Sequence, residues 1–185
     1  AMIYAVGGTH DDRARAMALL KAVTATDSAT PEELRATASV LTTLGRYLEG
    51  ADKRAVLAKA IESLGAAHQQ TKAPSYMFAM SQLHRAVGDR KASRECLQQL
   101  LADPKDPSYP IYLRAALDEL VEDGNYAAAG SFAAKLMAVH AGDFGSLASV
   151  ARFECKAGRP ERGLAVAEDY ARVADASAGD YLIRA

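Results

Sequence analysis

Five glycines recur along the chain at regular distances, and this recurrence restricts the possible folds more than any other feature of the sequence. Gly8, Gly45, Gly88, Gly124 and Gly158 are separated by 34 to 43 residues. A period in this range is typical of proteins built from stacked repeats, in which each repeat is one supersecondary unit. Each glycine follows a segment with apolar periodicity, as a glycine at a helix C-terminus does. The chain is therefore predicted to consist of helical hairpins, each with a glycine in its turn.

The segments on both sides of Gly124 have the period of an amphipathic helix. Apolar residues recur at spacings of three and four from Leu113 to Val121, and again from Ala129 to His140. No segment alternates apolar and polar residues as a half-buried strand does, and about a fifth of the residues are alanine, the best helix former. The predicted fold class is all-α, a right-handed superhelical stack of about nine or ten helices in antiparallel pairs.

Capping residues and prolines indicate where helices begin and where hairpins are separated. Residues 30–33, Thr-Pro-Glu-Glu, have the pattern of a capping box with proline at the first helical position, so a helix is predicted to begin there. The stretch 103–110 contains three prolines, which cannot continue a helix. This stretch is expected to separate one hairpin from the next, although a linker between domains would have the same composition.

Residues 75–175 resemble the tetratricopeptide repeat, a helix-turn-helix unit of about 34 residues. The resemblance rests on large and small residues in the first helix, a glycine in the turn, a small residue in the second helix and a closing proline. The first copy has Met77, Met80, Ser81, Gly88, Ser93, Leu97, Leu100 and Pro104; the second has Leu113, Ala116, Gly124, Ala129 and Ala133; the third has Leu147, Val150, Ala151, Gly158, Gly163, Ala167 and Tyr170. The resemblance implies a tetratricopeptide-like superhelix whose first helices line a concave, peptide-binding groove.

The domain organisation expected from these repeats is a single helical-repeat domain over residues 1–185. The repeats lie at about 1–27 (partial), 30–70 (degenerate), 74–104, 110–141 and 144–176, with the start of a truncated repeat at 180–185. The degenerate repeat has a second helix, about 53–70, that is longer than the family's usual element. Because both ends interrupt a repeat, we expect the chain to be a fragment of a longer protein.

Charge, hydropathy and cysteine content exclude several classes of protein. The chain has 22 basic and 23 acidic side chains and no basic run of the kind that binds nucleic acid or an anionic membrane. Its apolar runs are far shorter than the ~20 residues that cross a bilayer. We therefore expect no nucleic-acid partner and no membrane insertion. Cys96 and Cys155 are predicted to be small apolar residues on helices almost two repeats apart, too distant to form a disulfide.

The sequence contains no motif for catalysis or for metal or cofactor binding. The four histidines, His10, His68, His84 and His140, have no second ligand at helical spacing, and the last three are interpreted as partly buried packing residues. Residues 45–50 have the glycine spacing of a phosphate-binding loop but lack its lysine and hydroxyl residue. We predict that the chain is not an enzyme and has no catalytic residues, cofactor or metal site.

The resemblance to the repeat family implies groove residues on the first helix of each hairpin. They are Phe78, Gln82 and Arg85 in the first copy, Arg114, Asp118 and Glu122 in the second, and Arg152 and Lys156 in the third; Glu32, Arg35 and Ser39 come from the preceding hairpin. Basic residues outnumber acidic ones here, so an acidic peptide is mildly favoured, with Arg85, Arg114 and Arg152 binding its carboxylates. The same charges are equally explained as solvated residues on exposed helix faces.

Two functions remain open from the sequence, besides the third possibility of an enzyme without a recognisable motif. The leading hypothesis is a protein–protein interaction scaffold that binds a peptide or protein segment in the groove. The alternative is an architectural spacer or self-association segment of a larger multidomain protein, whose exposed terminal helices stack on other repeats or on another copy. A groove with aromatic and charged residues favours the first hypothesis. A polar groove without such residues, in a repeat stack whose ends are apolar, favours the second.

Overall fold

The computed structural model describes residues 29–140, 143–169, 171 and 172, and three isolated positions, 11, 14 and 18. All regular secondary structure in these residues is helical, which confirms the predicted all-α class. The helices are α1 (Pro31–Gly45), α2 (Gly50–Thr71), α3 (Pro74–Val87), α4 (Arg90–Leu100), α5 (Tyr109–Glu122), α6 (Tyr126–His140), α7 (Phe144–Lys156) and α8 (160–169). Gly8 and the repeat starting at 180 lie outside the described residues, as does most of the repeat predicted at 1–27.

The helices form hairpins within two compact units, Ala1–Leu100 and Leu101–Ala185. In the first unit α1 packs on α2, α2 on α3 and α3 on α4. In the second unit α5 packs on α6, α6 on α7, and α5 also on α7. Short turns join the two helices of each hairpin, so these helices run antiparallel. The boundary between the units lies directly before the proline-rich stretch 103–110.

Each unit has its own apolar core. In the first unit the core consists of Ala38, Val40, Leu41, Leu44, Val56, Leu57, Ala60, Leu64 and Leu83. In the second unit it consists of Leu113, Leu117, Val121, Ala129, Ala133, Leu136, Val150 and Phe153. In the second unit most of these residues lie on the two predicted apolar stripes, because a helix buries the face on which residues recur at three and four positions.

The capping box at the start of α1 is confirmed. Thr30 Oγ1 accepts a hydrogen bond from the backbone N–H of Glu33 at 3.3 Å, and Glu33 Oε2 accepts one from the backbone N–H of Thr30 at 2.8 Å. The hydrogen bonds from the backbone and the side chain of Thr30 lower the pKa of Glu33. Two N–H groups that the first turn of a helix leaves unpaired are thereby satisfied.

Three of the predicted turn glycines lie between the helices of a hairpin in the left-handed conformation. The φ angles of Gly88, Gly124 and Gly158 are 88°, 71° and 78°. After each of them, the N–H of the next residue donates to the carbonyl oxygen five residues earlier, at 2.9 Å in all three turns. This bond closes the helix end, and it requires a conformation that a residue with a Cβ adopts only at a cost.

The prediction that Gly45 is a glycine cap in a turn is wrong. It is the last helical residue of α1, and the cap is Arg46, with a φ of −71°. A Cβ at Gly45 would lie 2.7 Å from Cδ2 of the buried Leu57 on α2. The glycine therefore permits the close approach of α1 and α2. The left-handed glycine of this hairpin is Gly50, at the start of α2, with a φ of 55°.

Both cysteines lie on helices and neither is bonded to the other. Cys96 on α4 is half-buried, and burial raises the pKa of its thiol. Cys155 on α7 is exposed, although the sequence pattern suggested an apolar position. Its sulfur lies over Gly163 of α8, where a Cβ would collide with it. The glycine at 163 thus lets α8 approach the end of α7.

Candidate functional site

Five of the predicted groove residues lie together on the second unit. Arg114, Asp118 and Glu122 are one turn apart along α5, and Arg152 and Lys156 are one turn apart along α7. These two helices pack on each other, and Arg152 forms an ion pair with Asp118. The first helices of two successive hairpins therefore present one continuous charged surface. We call these five residues the α5–α7 face.

Arg114 contacts the beginning of α7 rather than a carboxylate on its own helix. Its Nη1 lies 3.6 Å from Oδ2 of Asp143, the N-cap residue of α7. The same oxygen accepts hydrogen bonds from the backbone N–H and the hydroxyl of Ser146, at 2.7 and 2.9 Å. A Cβ at Gly145 would collide with the Arg114 guanidinium. The absence of a side chain at Gly145 is what allows the guanidinium to lie against the first turn of α7.

The two interhelical ion pairs of this face are only partly shielded from water. The side chains of Arg114 and Asp143 are 37% and 33% exposed, and those of Arg152 and Asp118 are 48% and 21% exposed. Ion pairs with this exposure contribute about 1 kcal/mol or less, so their main effect is to orient the four side chains. Lys156 is the one cation of the face without an ion-pair partner in the described part of the chain.

A surface pocket of about 540 Å³ lies at the end of this face. Its lining residues come from the end of α5, the α5–α6 turn and α7, and they are Val121, Glu122, Asp123, Gly124, Tyr126, Arg152 and Lys156. The basic side chains belong to α7, whereas the acidic ones belong to α5 and the turn after it. A bound molecule would therefore meet a positive wall on one side and a negative wall on the other.

The remaining candidates lie on first helices of the first unit. Phe78, Gln82 and Arg85 share one face of α3, on which Gln82 is exposed and the other two are half-buried. Glu32, Arg35 and Ser39 are exposed on α1. Their spacings of three and four residues place each set on one side of its helix. These residues occur at the first-helix positions that the repeat register assigns to them.

Several residues at the site were not predicted from the sequence. Asp123 and Tyr126 were missed because the repeat register assigns groove positions to first helices only, and these two belong to the turn and to α6. Asp143 precedes its helix, and its spacing of three from Ser146 is the local signal of an N-cap that could have identified it.

The described histidines behave as the sequence interpretation expects. His68 Nδ1 lies 3.0 Å from the carbonyl oxygen of Ala73, and His84 Nδ1 lies 3.7 Å from Oδ2 of Asp89. Both are half-buried near helix ends, whereas His10 and the side chain of His140 lie outside the described residues. The described residues contain no cluster of three possible metal ligands. Nor does any helix among them have the length and apolar character needed to cross a membrane.

These helix pairs define the class of the protein as a tetratricopeptide-like helical-repeat fold. A crystal structure of the MamA protein, a helical-repeat protein, matches 96% of this chain and 93% of its own with a TM-score of 0.59 and 16% sequence identity. A second crystal structure of MamA matches 92% of this chain and 98% of its own, with a TM-score of 0.59 and 14% identity. At such identities the similarity shows the fold alone. No family model matches the sequence, and no curated protein matches it.

Proposed function

We propose that this chain is a protein–protein interaction scaffold that binds a peptide or protein segment against the α5–α7 face and performs no catalysis of its own. The observation that carries the proposal is that five groove positions inferred from the repeat pattern lie on two packed first helices, beside a pocket of about 540 Å³. A pocket of this volume has room for several side chains of a bound segment. The helical-repeat fold supports a protein partner, because stacked helix pairs provide extended binding surfaces.

The charges around the pocket favour a ligand that carries both signs. Arg114 and Arg152 are each paired with a carboxylate, which reduces their attraction for an acidic peptide. Lys156 has no ion-pair partner in the described residues and can hold an acidic side chain, while Glu122 and Asp123 give the other part of the lining a negative charge. Like charges facing each other across an interface are costly, so a segment of a single sign would be repelled by one wall. We therefore propose a mixed-charge segment in place of a purely acidic one.

The architectural alternative has less support in the described residues. The large apolar side chains that are exposed there are Tyr47, Ile111, Val139, Phe144 and Leu164. No described helix or turn carries more than one of them, so none presents an exposed apolar stripe of its own. The charged α5–α7 face is better suited to capturing a segment than to stacking against an apolar helix.

Selection of peptides on the immobilised full chain tests this proposal. A random peptide library should yield segments with one acidic and one basic residue within a few positions of each other. The double variant Arg152→Ala/Lys156→Ala removes the positive wall, so it should bind a selected peptide about tenfold more weakly, measured by isothermal titration calorimetry. The matched control is Arg54→Ala/Lys59→Ala, which removes two exposed basic side chains from α2 and should leave the affinity unchanged.

The salt dependence of the same titration provides a second readout. Binding that depends on partly exposed charges weakens as the ionic strength rises. The proposal would be contradicted if the two double variants bound the peptide with equal affinity, or if the selected peptides carried no charged residues. Either result would favour the architectural alternative.

A further inference from the structure

The exposed row of side chains along α5 begins with an apolar residue. Ile111, Arg114, Asp118 and Glu122 follow one another at spacings of three and four, and all of them are exposed or half-buried. Most of the residues between them are buried. Ile111, in the first turn of the helix, is 43% exposed. The row that carries three residues of the α5–α7 face therefore starts with a large apolar side chain that water reaches.

The exposed row along α7 begins in the same way. Phe144, Ala148, Arg152 and Lys156 are four residues apart and all exposed, whereas the residues between them are mostly buried or half-buried. Phe144 is the first residue of the helix and is 37% exposed. The small side chain of Ala148 separates it from the two basic residues. Both first helices thus carry an exposed apolar residue in their first turn and charged residues further along.

An ion pair connects these two first turns. Arg114, one turn after Ile111, reaches across to α7, where its Nη1 lies 3.6 Å from Oδ2 of Asp143, the residue before Phe144. A Cβ at Gly145, the residue after Phe144, would collide with the same guanidinium. Ile111 and Phe144 therefore each lie within about one helical turn of one end of this ion pair. We call these two residues the apolar end of the α5–α7 face.

The middle of the face favours an extended ligand over a helical one. Arg152 of α7 forms its ion pair with Asp118 of α5, so charged side chains cross between the two helices here as well. A partner helix could not insert its own side chains between α5 and α7 without displacing these bridges. An extended segment can lie over the bridging side chains and turn alternate residues towards the surface.

The apolar end and the pocket lie at opposite ends of α5. The rise along the helix from Ile111 to Glu122 is about 16 Å, and an extended chain covers this distance in about five residues. The pocket lining carries both signs of charge, with Glu122 and Asp123 on one part and Arg152 and Lys156 on the other. The two ends together therefore define both the composition and the spacing of a bound segment.

We propose that the α5–α7 face binds an extended segment of a partner protein with a large apolar residue about five positions from an adjacent pair of one acidic and one basic residue. This inference rests on the proposed function and adds an apolar anchor to it. The anchor would cover Ile111 and Phe144 and remove their exposed surface from water. The charged pair would occupy the pocket, its acidic member beside Lys156 and its basic member beside Glu122 and Asp123.

A peptide array that varies the spacing tests the proposal. Each peptide carries one adjacent Glu-Lys pair in an alanine–serine background, with a single leucine placed at spacings from about two to about twelve residues on either side of the pair. The array is probed with the labelled full chain. Binding should be strongest at a spacing of about five and weaker at shorter and longer spacings. A maximum at about eleven would instead indicate a helical ligand and contradict the proposal.

Two variants locate the apolar contact. The probe is the array peptide with leucine about five residues from the pair, titrated calorimetrically into the full chain. Ile111→Ser and Phe144→Ser should each weaken it about fivefold, because only the exposed part of each side chain is left to be covered. The matched controls are Val139→Ser and Leu164→Ser, which remove exposed apolar side chains from second helices of the same unit and should leave the affinity unchanged. Circular dichroism of all four variants should equal that of the unmodified chain.

The outcomes separate this inference from the function on which it rests. If Arg152→Ala/Lys156→Ala weakens the probe but Ile111→Ser and Phe144→Ser do not, the apolar end is refuted and the proposed function stands. If Arg152→Ala/Lys156→Ala has no effect, both are contradicted. Array signals that do not depend on the position of leucine would overturn the inference. So would self-association of the unmodified chain, detected by sedimentation and abolished by Phe144→Ser, which would identify a second copy as the occupant.

Discussion

Glycine has two different physical roles at single positions of this chain, and at one further position it has neither. At Gly88, Gly124 and Gly158 it provides a left-handed backbone, and at Gly45 it permits close packing of two helices. At Gly130, in the interior of α6, neither requirement applies, since a Cβ would make an ordinary contact with Phe153. Glycine at such a position costs stability, because its unfolded backbone has more freedom than that of alanine.

The same substitution should therefore have opposite effects at two positions of one hairpin. Gly124→Ala should lower the free energy of unfolding by about 1 to 2 kcal/mol, because alanine is strained at a φ of 71°. Gly130→Ala should raise it by about 0.5 to 1 kcal/mol through helix propensity. Urea denaturation followed by circular dichroism measures both changes. Equal signs for the two variants would contradict this assignment of roles.

At the scale of the helix, local hydrogen bonds determine where α1 begins. The reciprocal bonds between Thr30 and Glu33 pair N–H groups that would otherwise depend on water. They favour the ionised form of Glu33, which is why the pKa of this carboxyl is lowered. A group whose pKa is lower in the folded state stabilises that state above its unfolded pKa, and the contribution disappears as the pH falls through the folded pKa.

Removing the capping hydroxyl should expose this pH dependence. Thr30→Ser should retain the stability of the unmodified chain, whereas Thr30→Ala should lower it by about 1 kcal/mol at neutral pH. The difference between the two variants should shrink as the pH is lowered below the usual range of glutamate, because a protonated Glu33 no longer accepts these bonds as strongly. Thermal denaturation at several pH values measures it, and a difference that grows towards acid pH would refute the capping mechanism.

At the scale of the whole molecule, the described residues form two apolar cores, one in each compact unit. In repeat proteins stability is close to a sum over repeats and their neighbouring interfaces, so distant parts can open separately. Leu44 and Leu136 are matched probes of the two cores, because they are 1% and 0% exposed. If the chain is a single cooperative domain, loss of either leucine should lower amide protection in both units. If the two units open separately, it should lower protection only in the unit that carries the leucine.

We expect each core substitution to affect its own unit. Leu136→Ala should lower the local opening free energy by about 2 to 5 kcal/mol. Amide hydrogen exchange should show this as lost protection in α5, α6 and α7 with little change in α1 and α2. Leu44→Ala should give the reverse pattern. Loss of protection throughout the chain in both variants would instead establish the single domain expected from the repeat pattern.

The sequence by itself determined the features that depend on neighbouring residues. The apolar period, the capping box before α1 and the glycines at 88, 124 and 158 predicted helices and turns correctly, because backbone conformation and helix ends respond to residues within a few positions. The register of the repeats also placed Arg114 and Arg152 on the first helices of successive hairpins. These predictions needed no knowledge of which helix packs against which.

Only the tertiary structure decided which groups meet. Arg114 pairs with Asp143 and Arg152 with Asp118, across helices, although a spacing of four would have allowed Arg114 to reach Asp118 along α5. The close approach at Gly45 likewise depends on the neighbouring helix. The physical reason is that ion pairing and side-chain contact depend on distances of a few ångströms between separate helices. Periodicity defines which side of a helix is buried, but the partner on that side is set by packing.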